Sequence, residues 1–158
     1  MSNQLAQQID DMQAEARYCR DLKKDRQRAL EIATKAHELL STLVATKIEE
    51  SDLHASMANL WLSFGRDDLV EQEIQLAIAA EALVDPRRPI IKATEHLFFA
   101  KFLYEKQRFA EAAVHARVGL ELYSEAHPEG SKELTYIRQL MTPVLMAGES
   151  PPPTTPKA

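Results

Sequence analysis

The chain has 158 residues, 45% of them apolar and 27% charged, which is enough for a packed core without a metal or disulfide staple. Its single cysteine, Cys19, excludes an internal disulfide. No apolar run approaches the ~18 residues a membrane-spanning helix needs, and the opening Met1–Leu5 lacks the basic and apolar parts of a signal peptide, so a cytoplasmic chain is expected.

Charge is unevenly spread. Residues 1–50 carry 8 basic and 9 acidic groups, residues 51–85 carry 1 and 7, and residues 86–158 carry 10 and 8. The acidic middle argues against a nucleic-acid-binding face. Glycine is scarce and Ala, Leu, Glu, Gln and Arg are abundant, so helix is favoured throughout, and no alternating β-branched run reads as a strand.

Apolar spacing and caps predict seven helices. The first covers residues 3–23, with Leu5, Ile9, Met12, Ala16 and Cys19 in steps of three and four. The second covers 26–46, with Ala29, Ala33, Ala36, Leu40 and Leu43 on one stripe. Ser51 reads as the N-cap of a third helix that runs to Phe64 and stops at Gly65. A fourth, over 67–84, is closed by Asp85-Pro86-Arg87-Arg88-Pro89, which no helix crosses. The fifth spans 90–106. The sixth spans 109–126 and carries Phe109, Ala112, Ala113, Ala116, Leu120 and Tyr123 inward. After His127-Pro128-Glu129-Gly130, Ser131 caps a seventh helix to residue 146, with Leu134, Ile137, Met141 and Val144 inward. A helical domain over 1–147 is thus followed by a Pro-rich tail over 148–158, expected to be disordered or polyproline-like.

The connections are short, so neighbouring helices should pack antiparallel, as a closed bundle or as stacked hairpins. Internal repetition favours hairpins. The fifth and sixth helices contain Phe99-Ala100, Leu103-Tyr104, Phe109, Ala112 and Gly119. Met57-Ala58, Trp61, Gly65, Val70 and Ala77 fall at the same offsets upstream, and Ala29 and Ala36 repeat the second-helix positions. The small positions run 29, 70, 112 and 36, 77, 119, a period of 41 and then 42. Small side chains there let two helices approach, while Phe99, Leu103 and Phe109 fill the space beside them.

This pattern, over residues 10–126, resembles the tetratricopeptide repeat in a long-period form similar to that of kinesin light chains. It departs from the family at Arg17, where a small residue is expected, and at Val70, which is large for its position. The resemblance implies an all-α stack of antiparallel hairpins in a right-handed superhelix, closed by the seventh helix as a cap. It also implies a concave groove lined by the first helix of each pair. The groove positions map to Tyr18, Asn59 and Lys101, with Leu62, Leu97 and Tyr104 nearby. The positions at which some members of the family grip chaperone C-termini are Ala14, Tyr18, Ser56, Thr94 and Phe98 here; none is basic, so that partner class is not expected. The family's role is to bind another protein or peptide, as adaptor or chaperone, without a cofactor or metal.

Arg17, Arg20, Lys23, Lys24, Arg26 and Arg28 form the one dense basic cluster, either a face for an acidic partner or a solvated helix end. Glu50 with His54, and Glu111 with His115, have helical metal-ligand spacing, but neither has a second pair beside it. Glycines stand only at 65, 119, 130 and 148, so no phosphate loop forms. No active site assembles from these residues. The alternative to a binding module is a structural or regulatory subunit that associates with its own copies.

Overall fold

A computed structural model describes residues 3–149 of the chain. Within them there are seven α-helices and no strand: α1 Gln4–Asp21, α2 Arg26–Leu40, α3 Lys47–Ser63, α4 Asp67–Glu81, α5 Pro89–Glu105, α6 Phe109–Ala126 and α7 Lys132–Glu149. They divide into two compact units, Met1–Pro86 with α1 to α4 and Arg87–Ala158 with α5 to α7. The Pro86–Pro89 turn predicted to stop helix propagation lies at that division.

In the first unit α1 pairs with α2 and α3 with α4, and α3 also packs on α1 and α2. The floor is built from Ile9, Ala16, Ala29, Ala33, Ala36, Met57, Ala58, Trp61, Val70, Ile74 and Ala77, all essentially closed to solvent. In the second unit α6 packs between α5 and α7, around Ala93, Phe99, Ala100, Leu103, Ala112, Ala116, Leu134 and Met141. All six small-position residues are buried: Ala29, Val70 and Ala112, then Ala36, Ala77 and Gly119. A Cβ on Gly119 would lie 2.7 Å from Leu97 Cγ, so the absent side chain is what admits Leu97 to the α5–α6 seam.

The three hairpin turns share one backbone. Lys24, Gly65 and Gln107 all have positive φ, at 54°, 71° and 61°. The next residues, Asp25, Arg66 and Arg108, have φ between -97° and -91° with ψ of 65° to 81°, and each starts the following helix. Their carbonyls accept from Ala29, Val70 and Ala112. These positions repeat at the intervals of 41 and 42 seen in the small residues. In the second and third turns the Arg66 and Arg108 amides reach back to Trp61 and Leu103, sealing the ends of α3 and α5.

Of the boundaries that differ from the sequence reading, three have a clear local reason. First, α2 ends at Leu40, because the Ser41 and Thr42 hydroxyls bond back to Glu38 and Leu39 carbonyls and compete with the helical ladder. Secondly, Ser51 is not the N-cap of α3. Thr46 is, and it forms a reciprocal capping box with Glu49, so the helix starts earlier. Ser51 is instead buried in α3, donating to Glu81 Oε2 at 2.7 Å. Thirdly, α7 continues through Gly148 to Glu149. A Cβ at Gly148 would stand 2.3 Å from Ala113 Cβ, so the glycine lets the last turn lie directly on α6. Residues 148 and 149, read from the sequence as the start of the tail, are therefore helical, and the rest of that predicted tail, 150–158, lies outside the described residues. Ser131 does cap α7, its Oγ accepting from the Leu134 amide at 3.2 Å.

Candidate functional site

The predicted groove residues fall in both units. On α1 and α3, which pack against each other, Tyr18, Asn59 and Leu62 are all exposed. Asn59 spends its amide on the Ala55 carbonyl of its own helix at 3.1 Å. Between these helices Arg17 reaches across from α1 and donates to Ser56 Oγ of α3 at 2.8 Å. The residue that breaks the small-side-chain pattern thus ties two hairpins together through its guanidinium. In the second unit Lys101 is exposed, Tyr104 is half-buried against the Phe109 ring at 5.5 Å, and Leu97 covers Gly119. Leu97 therefore acts in helix packing.

The basic cluster is not a field of free charge. Arg20 holds Asp21 through two bonds of 2.6 and 2.8 Å, which raise the guanidinium's pKa and lower the carboxyl's. Arg28 stands 3.7 Å from Glu31, and Arg26 lies over the Phe64 ring, 5.2 Å from its centroid. Lys23 lies over the Tyr18 ring at 5.8 Å. Two of its six charges are thus paired with carboxylates, Arg20 with Asp21 and Arg28 with Glu31, and the cluster frames one edge of the Tyr18–Asn59 face.

Both helical His–carboxylate pairs find other partners. Glu50 takes Lys47 at 2.7 Å and Glu111 takes Arg108. His54 Nδ1 donates to Glu73 Oε2 at 2.5 Å, and His37 Nδ1 stands 2.9 Å from Glu73 Oε1, off the line of a good hydrogen bond. Glu73 is 2% exposed, so a buried carboxylate on α4 is held between imidazoles from α2 and α3. His115, in turn, meets His96, with Nδ1 atoms 2.9 Å apart and rings stacked.

These polar contacts belong to one recurring position that sequence reasoning missed. Gln13, His54 and His96 are 41 and 42 residues apart, as the small positions are. Glu73 and His115 are their partners in the second and third hairpins, each 19 residues on. In the first hairpin Gln13 donates to the Leu53 carbonyl of α3 at 2.9 Å. Extending the period from small residues to polar ones is the signal that would have found this layer. Among the described residues no group of three His, Cys, Asp or Glu is arranged to hold a metal ion, and no helix is long and apolar enough to cross a membrane.

The His96–His115 pair makes the second unit acid-sensitive. Burial, then the neighbouring His115 and Lys92, push His96 down to about 4, and burial likewise lowers His115, partly offset by Glu111. Below the ordinary imidazole pKa of 6.5, the unfolded chain takes up a proton that the folded pair refuses. Stability is thus complete above that value and falls as pH drops toward about 4. Discounted for partial solvation, the loss is about 1–2 kcal/mol. A His96→Leu chain should show a flatter dependence of urea midpoint on pH across this window; an unchanged slope would place the acid sensitivity elsewhere.

No family model matches the chain, and no curated protein or solved structure matches it.

Proposed function

We propose that the chain is a tetratricopeptide-like module that binds another protein or peptide on the exposed face of its first-in-pair helices and performs no chemistry itself. One observation carries this reading: the same turn backbone recurs at Lys24, Gly65 and Gln107 in step with the buried small residues. That recurrence supports a hairpin array, and arrays of this kind use an extended face for recognition. The face on α1 and α3 offers Tyr18 and Leu62 as apolar contacts and Arg17 and Asn59 as polar ones, with Lys23 from the turn after α1 beside Tyr18. An aromatic and an aliphatic group flanked by hydrogen-bonding side chains suit a peptide better than a small metabolite. The surplus of acidic groups in residues 1–86, 16 against 9 basic, disfavours nucleic acid.

The test is affinity capture from the native cell extract with three proteins: wild type, Tyr18→Ala/Leu62→Ala, and Lys101→Glu/Tyr104→Ala. Circular dichroism establishes that each remains helical. A partner held by the wild type and lost with the first variant supports the α1–α3 face. Loss with the second alone moves recognition to α5. Equal retention by all three refutes both faces.

A further inference from the structure

We propose, building on the peptide-binding reading of the α1–α3 face, that its ligand is a peptide held through a lysine or arginine side chain in an acidic cavity at one end of that face. A cavity of about 230 Å³ opens between the N-terminal halves of α1 and α3. Ala6 and Leu53 give it apolar walls, and Asp10, Glu49 and Asp52 give it three carboxylates, while no basic group lines it. That combination fits a long cationic side chain, whose methylene stem lies on apolar surface while its head meets acidic groups. Helix capping accounts for Glu49, whose carboxylate accepts from the Thr46 amide at 3.0 Å. It does not account for Asp10 or Asp52. The caps are Asn3 and Thr46, and both aspartates stand more than a turn inside their helices, past the reach of the helix dipole. A metal ion is a poorer fit than an organic cation, since among the described residues no three such groups are arranged to hold one.

Two bonds fix how the face runs. Gln13 of α1 donates to the Leu53 carbonyl of α3, and Arg17 donates to Ser56, so both helices advance in the same direction. Along α1, Asp10, Ala14 and Tyr18 follow one stripe that turns about 40° at each step of four. Along α3, Asp52 and Asn59 are about 20° apart. The cavity thus opens at one end of a surface that leads to Tyr18, 49% exposed, and to Asn59. The span is about 11–12 Å along the helices. An extended peptide covers it in about three to four residues. Charge is graded over the same span. Asp10 and Asp52 stand at the cavity, whereas Arg17 follows and Lys23 lies over the Tyr18 ring. A basic side chain is therefore drawn to the cavity and repelled from the Tyr18 end, where the peptide offers an apolar group. The surrounding field agrees, because residues 1–86 carry 16 acidic and 9 basic groups.

Fluorescence anisotropy of the full chain tests this with a labelled probe peptide, blocked at both ends, that carries one lysine and one leucine four residues apart on a Ser/Thr background. The wild type should bind it, and replacing the probe's lysine by norleucine should weaken binding about tenfold. On an Asp10→Asn/Asp52→Asn chain the same replacement should change affinity less than about twofold, because the charges that read the lysine are gone. An Asp10→Lys/Asp52→Lys chain should instead prefer a probe with glutamate in the lysine's place. Both aspartates are exposed, and circular dichroism shows that the variants keep their helices. Equal binding of the lysine and norleucine probes by the wild type overturns the cation site and leaves peptide binding at the face intact. A lysine preference that survives both aspartate variants also overturns it. So does failure of the lysine probe to bind at millimolar chain concentration; if the native partner is still lost with Tyr18→Ala/Leu62→Ala, the face keeps its role without this cavity. Removing residues 1 and 2, which adjoin Asn3 at the cavity wall, should leave probe affinity unchanged. A gain of about tenfold would make the chain's own start the occupant and overturn the proposal.

Discussion

A Glu73→Ala chain is expected to lose about 2–4 kcal/mol of stability in its first unit. The carboxylate is 2% exposed and stands against His54 Nδ1 at 2.5 Å and His37 Nδ1 at 2.9 Å. Its removal leaves His54 without its acceptor and His37 without the carboxylate beside it, in a site closed on one side by Trp61, whose ring lies edge-on to His37 at 5.5 Å. The loss falls short of that for a fully dry ion pair, because the side chains of His54 and His37 retain 15% and 25% exposure and water can reach them. Glu73→Gln keeps one acceptor oxygen and should recover part of the loss. Trp61 is the chain's only tryptophan and sits in this unit, so its fluorescence in a urea titration reads the first unit directly. A decrease below about 1 kcal/mol would mean that the histidines are solvated without Glu73.

This cluster also marks the limit of what the sequence made legible. Seven helices, their order and the turns between them follow from apolar spacing and from breakers such as Gly65 and Pro86, and the structure keeps them. Those signals are local. The small positions were also legible, because Ala or Gly recurring every 41 or 42 residues, with Val70 the one exception, has few causes other than close packing. Glu73 and Glu81 were not. Each has the appearance of a solvent-facing helical glutamate, and its burial depends on a histidine or serine from another helix. The boundary of α3 was misplaced by preferring Ser51, a generic cap, to Thr46, whose Glu49 three residues on completes the more specific signature. Of the candidate groove, Tyr18, Asn59, Leu62 and Lys101 are exposed as recognition requires, while Leu97 is drawn into packing by the space that Gly119 leaves.

The largest expected effect lies at Trp61, and its chemistry makes a sharp contrast between two substitutions. The indole is 1% exposed, at the centre of the first unit, with His37 and Phe64 edge-on and the Arg66 guanidinium 5.8 Å from the ring centroid. Trp61→Ala removes this whole volume from between helices that cannot all close in, and should cost about 3–5 kcal/mol. Trp61→Phe keeps most of the aromatic volume. It also deletes an indole N–H that is buried without an acceptor, a group whose desolvation already weighs against the folded state. The phenylalanine chain should therefore lie within about 1.5 kcal/mol of wild type. Circular dichroism in urea measures both, since neither variant keeps the fluorophore. If the two substitutions proved equally costly, the indole nitrogen would have to be engaged by a buried water or an acceptor, and the first unit would carry a second internal polar site beside Glu73.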